Sequence, residues 1–341
     1  MVKIVLDCFG GDKSPKENVL GAVEALKEVK DLYLILTGDK AIIEQKLSGL
    51  SYDEDRLSIE HAPDVISGEE KPTAAIRNEN SSMMKAINLL KTQSDVDGMV
   101  SLGSTGALLA GAFLKVGRLN NVIRPAFCPI LPTMKGTFVG ICDSGANAEC
   151  TPEYLHQFAI MGSEYMRITY GVETPKVALL NVGTEEHKGD PLRQKAYSLI
   201  KSTECINFVG NMESRTLLTG DMDLVVCDGF SGNVLLKSTE GACLEMLKMF
   251  KQVFTSSLKN KLGALLLKKS IMEKKDYMDY RNYGGAVMLG TKKIIVKCHG
   301  NGIAKTVKNC IIQAYKMQNG GINQAIEEKL AKYAPRKQSA E

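Results

Sequence analysis

Short apolar runs suited to buried strands recur along the chain at residues 3–6, 32–37, 99–102, 138–142, 177–182, 224–227 and 294–297. Between them lie stretches whose apolar positions repeat near every 3.6 residues, which predicts helices over 18–29, 81–91, 152–165, 192–201 and 241–254. Strand and helix in alternation predict an α/β fold built on a mostly parallel, doubly wound sheet with helices on both faces. No fixed-period repeat, low-complexity segment or Pro-rich linker interrupts the pattern. Residues 1–333 therefore read as one α/β unit, with 334–341 a polar tail that frays.

Several of the apolar runs end in a turn rich in glycine and small polar residues: Asp7 to Gly10, Gly11 and Asp12; Gly103, Ser104, Thr105 and Gly106; Asp143 to Asn147; Gly183, Thr184 and Glu185; Asp228 to Gly232 and Asn233. In an open α/β sheet such turns lie at the carboxyl edge, where ligands bind and where backbone N–H groups approach an anion. The pattern predicts a phosphate-like ligand, and the competing reading is five ordinary strand-to-helix turns. Lys188 follows the Gly183 turn and is either a solvated lysine or the cation of that site. Asn233 is either a helix N-cap or an amide aimed at a reacting carbonyl. Asn147, just after a strand, is a candidate for orienting the anion.

Composition narrows the chemistry. The 43 Lys and Arg against 39 Asp and Glu leave a formal charge of +4, too mild a balance for a nucleic-acid footprint, and the chain has no Trp. Nine Cys without a C-x-x-C, most inside apolar runs, read as reduced core thiols in a cytosol. Asp7 falls before any signal-like apolar region, so export is not expected. No dinucleotide fingerprint, phosphate-binding P-loop, H-E-x-x-H or G-x-S-x-G occurs, and the four His (61, 156, 187, 299) have no metal-ligand spacing. Over 256–277, six Lys face only Glu273 and Asp276, a net +4, among Leu258, Leu262, Leu265, Leu266, Leu267, Ile271 and Met272. That composition predicts an amphipathic helix that either lies on an anionic membrane or packs against its own domain or a partner subunit.

Taken in order, these motifs carry a resemblance over nearly the whole chain. Asp7 with Gly10, Gly11 and Asp12; His61 to Ile66; Ser81, Ser82 and Met83; Gly103 with Thr105, Gly106 and Ala107; and Arg124 to Ala126 form its first half. Asp143 with Gly145 to Asn147, Gln157 to Gly162, Leu180 to Glu185, Asn207 to Asn211, Asp228 to Val234 and Tyr283 to Ala286 complete it. The chain resembles the bacterial phosphate acyltransferases of phospholipid synthesis. The resemblance implies a three-layer α/β/α sandwich similar to the isopropylmalate dehydrogenase and phosphotransacetylase folds. It also implies a homodimer that transfers a fatty acyl group from acyl-[acyl-carrier protein] to inorganic phosphate, giving acyl phosphate. No cofactor and no metal is implied, because the phosphopantetheine is carried by the substrate.

By the same resemblance Lys188 and Asn233 match the catalytic positions. Gly10, Gly11, Asp12, Gly103, Ser104, Thr105, Gly106, Asn147, Gly183, Thr184, Glu185, Gly232 and His299 become the substrate-contact candidates. Leu258, Leu262, Leu265, Leu266, Lys268 and Lys269 become the contacts of a cytoplasmic enzyme with the inner face of the cell membrane. The sequence departs from the family pattern at Ser104, usually Asn, at Lys13, usually His, at Arg77 to Asn80, and at Asn301 and Gly302. Glu79 adds a negative charge where an acidic carrier protein would dock. The alternatives are an acyl-coenzyme A donor, or a non-catalytic membrane scaffold for lipid-synthesis enzymes.

Overall fold

The computed structural model describes residues 1–279 and 282–333; Tyr280, Arg281 and the expected tail at 334–341 lie outside them. In chain order the strands are β1 (Val2–Asp7), β2 (Leu32–Gly38), β3 (Leu57–His61), β4 (Gly98–Ser101), β5 (Ala126–Cys128) and β6 (Ile130–Pro132). They continue with β7 (Phe138–Cys142), β8 (Lys176–Leu180), β9 (Asn207–Met212), β10 (Leu224–Val226), β11 (Ala286–Leu289) and β12 (Ile294–Lys297). The helices are α1 (Lys16–Glu28), α2 (Lys40–Leu47), α3 (Pro72–Ala75), α4 (Ser82–Thr92), α5 (Thr105–Gly111), α6 (Pro152–Tyr170) and α7 (Pro191–Lys201). After them come α8 (Gly229–Thr255), α9 (Leu258–Met278), α10 (Ala304–Asn319) and α11 (Ile322–Tyr333).

The expected single sheet is two. A seven-stranded sheet has the order β3-β2-β1-β4-β12-β11-β5, and a five-stranded sheet the order β6-β7-β10-β8-β9. Pairing is parallel except at β11, which runs antiparallel to both β12 and β5, and at β6, antiparallel to β7. The chain leaves the large sheet at Cys128 and enters the small one at Ile130, with only Pro129 between. Proline has no N–H for a ladder, so it breaks one apolar run into two three-residue strands. The chain returns to the large sheet at β11.

α6 joins the two sheets. Every residue from Leu155 to Met166 is buried, including Gln157 and Glu164, so this helix is covered on all sides rather than along one stripe. Its apolar residues share a continuous cluster with Leu6 and Val100 of the large sheet and Val177, Leu179 and Leu224 of the small one. Removing a fully buried ring such as Phe158 by alanine substitution would cost about 3–5 kcal/mol.

Beyond this core α8 and α9 form a helical hairpin. α9 has no buried residue, and past Leu236 α8 has none either. The predicted helix over 241–254 therefore starts earlier, at Gly229, and continues into a second helix. The apolar residues of α9 are also less ordered than expected. At 100° per residue Leu258, Leu262, Leu265 and Met272 share a side that also carries Lys269, while Leu267 and Ile271 point the opposite way. The base of the hairpin is tied down where Tyr277 Oη donates to the carbonyls of Thr133 and Thr137, at 3.0 and 3.2 Å.

Candidate active site

Three buried or nearly buried aspartates close the strand ends. Asp7, at the end of β1, accepts from Ser82 Oγ at 2.6 Å, Ser101 Oγ at 2.7 Å and the N–H groups of Phe9 and Gly10. Asp143 follows β7 and accepts from the N–H groups of Phe127, Ala146 and Asn147 and from Asn147 Nδ2 at 2.9 Å. Burial raises the pKa of both carboxyls above the usual value, and the hydrogen bonds pull against it. Asp228, after β10, caps α8 through Ser231 N–H at 2.8 Å and receives Arg193 Nη2 at 2.6 Å. Asn18 Nδ2 adds a clamp on the carbonyls of Asp7, Cys8 and Gly10. These side chains shape the turns and are not free to do chemistry.

With the turns fixed, a crevice of about 330 Å³ opens between the sheets. Thr105 after β4 and Lys297, His299 and Gly300 at the end of β12 come from the large sheet; Ser144 after β7 and Asn233 on α8 come from the small one. Phe127, Ile130, Leu131 and Leu236 make an apolar floor. Because Asp228 is the cap, Asn233 lies one turn inside α8, and its side chain is exposed at the crevice. The N-cap reading of Asn233 is thus replaced by the alternative, an amide free to meet a ligand. Gly232 lets α8 start this close to the small sheet: a Cβ there would lie 1.9 Å from the carbonyl oxygen of Asp143.

Lys297 is the cation of this crevice, and it was absent from the residues expected from sequence. Its ammonium donates to the carbonyls of Leu102 and Cys298, and among the described residues it forms no salt bridge with a carboxylate. Desolvation lowers its pKa below the usual 10.5. The same cause lowers His299. The apolar strand Ile294–Lys297 conceals such a lysine in a sequence reading, since only its place as the last residue before a turn marks it. At the rim Lys237 pairs with Glu240 at 2.7 Å. The wall at Tyr283 to Gly285 is set by buried Gln313, which accepts from Gly285 N–H at 2.8 Å and donates to its carbonyl.

The remaining expected residues divide. Gly10 and Gly103 abut, since a Cβ on Gly10 would lie 2.5 Å from Gly103 N, and Asp12 N–H donates to Gly300 O at 2.8 Å. Gly10, Gly11, Asp12 and Gly103 therefore support the crevice from behind. Ser104 caps α5 through Ala107 N–H, so the exchanged residue keeps a capping oxygen, and Gly106 sits against Pro72. Asn147 turns away: its amide donates to Pro125 O at 2.8 Å and to Asp143. That geometry makes it a brace for Asp143 rather than an orienter of the anion.

Gly183, Thr184, Glu185 and Lys188 lie on the loop after β8, outside the crevice lining. Asn181 Nδ2 holds Lys188 O at 3.1 Å, and Asn211 Nδ2 holds Glu185 O at 2.8 Å. Gly183 leaves room for the stem of Lys188, whose Cγ would be 3.2 Å from a Cβ there. Arg193 then links this loop to the Asn233 helix, bridging Asp190 and Asp228. Lys188 and Asn233 stand at the ends of paired strands, on supports that share one guanidinium. All nine cysteines are free; burial raises the pKa of several of them, and Cys150 is pushed up to about 12, which disfavours a thiolate nucleophile.

Comparison with known proteins follows the same outline. The sequence profile of a family described as "Fatty acid synthesis protein" matches residues 2–325. A protein named "Phosphate acyltransferase" from Clostridioides difficile (strain 630) is 44% identical over 333 residues, 97% of each chain. One of the same name from Clostridium tetani (strain Massachusetts / E88) is 43% identical over 330 residues, covering 96% of this chain and 98% of its own. Among solved structures, a phosphotransacetylase from Streptococcus pyogenes superposes with a TM-score of 0.61 at 17% identity over 93% of this chain and 94% of its own. That likeness shows a shared α/β fold. With a profile match over almost its full length and relatives above 40% identity, the chain belongs to the fatty acid synthesis protein family.

Proposed function

We propose that this protein is a phosphate acyltransferase that moves a fatty acyl group from acyl-[acyl-carrier protein] to inorganic phosphate. The observation that carries the reading is the crevice itself, which an amide (Asn233) and a desolvated ammonium (Lys297) both line above an apolar floor. Family membership and the names of its relatives support the reaction class. Phosphate binds against Lys297, while Lys188, on the loop after β8 outside the crevice lining, is the second cation of this reading. A phosphate oxygen attacks the thioester carbonyl carbon, and Asn233 Nδ2 donates to the oxyanion that forms. Collapse breaks the C–S bond; the thiolate leaves on the carrier and takes a proton from water. A thiolate leaves readily, so the crevice has no need of a strong acid.

The hairpin supports a second element of this reading, peripheral contact with the inner face of the cell membrane. Leu258 is 85% exposed and Leu266 81%, Leu262 and Leu265 are exposed beside them, and Lys268 and Lys269 follow. Among the described residues no helix is long and apolar enough to cross a membrane. Exposed Met246, Met249, Phe250 and Val253 on α8 fit a face covered by a second copy of the chain.

The test is phosphate-dependent loss of palmitoyl-[acyl-carrier protein], with acyl phosphate trapped by hydroxylamine, run beside palmitoyl-coenzyme A. Hydroxamate formed only when phosphate is present, and faster from the carrier, is the expected result. Faster turnover of the coenzyme A thioester would replace the donor, and no hydroxamate from either would overturn the activity.

A further inference from the structure

A second cavity, of about 160 Å³, continues the crevice along α8. The two share Leu131 and Glu240 in their walls. Its lining is mainly apolar, with Pro132 and Leu218 from the small-sheet side, Cys243, Leu244 and Leu247 from α8, and Met278 closing it from α9. On α8 the positions Asn233, Leu236, Glu240, Cys243 and Leu247 are spaced alternately by three and four, a single face of the helix. Burial marks the same face. Between Leu236 and Phe254 only Thr239, Glu240 and Cys243 are half-buried in α8, and all three line this cavity.

We infer that this cavity holds the distal end of the hydrocarbon chain of the acyl donor, the carbons nearer the thioester lying in the crevice, with Cys243 and Leu247 setting the length it accepts. The inference rests on the phosphate acyltransferase reading, which places the reacting carbonyl at Asn233. From there Leu247 lies fourteen helical residues on, about 21 Å along the axis. An extended polymethylene chain with tetrahedral carbons advances about 1.25 Å per carbon, so sixteen carbons span roughly 20 Å. Cys243, ten residues on, lies at about 15 Å, the reach of a twelve-carbon chain. The small cysteine leaves the path open at the level where a bulky residue would close it. Three charged side chains, Glu240, Lys275 and Asp279, stand in the wall beside this apolar face, and the Glu240 carboxylate is paired with Lys237.

Two variants test this. Cys243→Trp fills the path, and the ratio of kcat/KM for palmitoyl over octanoyl donor is expected to fall about tenfold or more. Leu247→Trp puts the chain's sole Trp at the far end, where palmitoyl donor should shift its emission and octanoyl donor should not. An unchanged ratio with both donors turning over overturns the cavity and leaves the acyltransferase reading standing. Absence of acyl phosphate from wild type with either chain overturns the acyltransferase reading, and the cavity with it. Should Cys243→Trp fail to fold, the Leu247→Trp emission decides alone. Emission that responds to octanoyl donor as much as to palmitoyl donor, or that responds to phospholipid vesicles without donor, would overturn the assignment.

Discussion

At the crevice, Asp7, Asp143 and Asp228 are each held by three or more donors, whereas along α9 Leu258, Leu262, Leu265 and Leu266 stand in solvent. The first region spends buried polar groups on fixing backbone turns, so that Asn233 and Lys297 present their polar ends at one crevice. The second has almost no internal contacts and an excess of lysine. Substitution should therefore damage catalysis and folding in the first region, and only attachment in the second.

The sharpest separation is expected at Asn233. Asn233→Ala should lower kcat by about 10²-fold to 10³-fold, the usual loss of one oxyanion donor, with little change in thermal stability. Gly232→Ala would break the frame rather than the chemistry. Its Cβ meets a backbone carbonyl at 1.9 Å, so Tm should fall by an amount equivalent to about 1–3 kcal/mol, read by calorimetry.

Lys297 gives a pH signature. Its folded pKa lies below 10.5, so the folded chain gives up this proton before the unfolded chain does. Stability from this group therefore rises with pH between the two values, while anion binding, which needs the charge, is lost over the same interval. Phosphate-dependent rates should fall as pH climbs through the lowered pKa, and Lys297→Arg should carry activity to higher pH. The smallest effect on folding belongs to the hairpin. Leu265→Glu with Leu266→Glu should leave stability within about 0.5 kcal/mol of wild type and abolish sedimentation with anionic vesicles. If that pair unfolds the protein, or if wild type does not sediment, the contrast between the regions fails.

The α/β alternation was legible because the central strands are continuous apolar runs with both faces covered. β1, β2, β4, β7, β8, β10 and β12 all fall at expected places, as do α1, α4, α6 and α7. The strands that escaped are edges and fragments, together with β11, a four-residue internal strand of the large sheet that directly follows Tyr283, Gly284 and Gly285. β3 reads Leu-Ser-Ile-Glu-His and is half exposed, β9 carries a register shift and polar ends, and Pro129 divides β5 from β6. The division into two sheets escaped with them, since nothing local marks the strand that crosses from one to the other. At the site, the glycine turns lie at the edge where the crevice opens, but their aspartates and Asn147 are braces. Lys297 was hidden because burial makes it resemble any residue closing an apolar strand.

The most direct measurement is the initial rate of acyl phosphate formation from a soluble palmitoyl donor, without lipid, for wild type, Asn233→Ala and the Leu265→Glu, Leu266→Glu double variant. The account predicts a loss of at least about 10²-fold for Asn233→Ala and wild-type turnover for the hairpin variant, with all three equally folded by circular dichroism. Wild-type turnover by Asn233→Ala, or its loss in the hairpin variant alone, would contradict a reaction centred on the crevice.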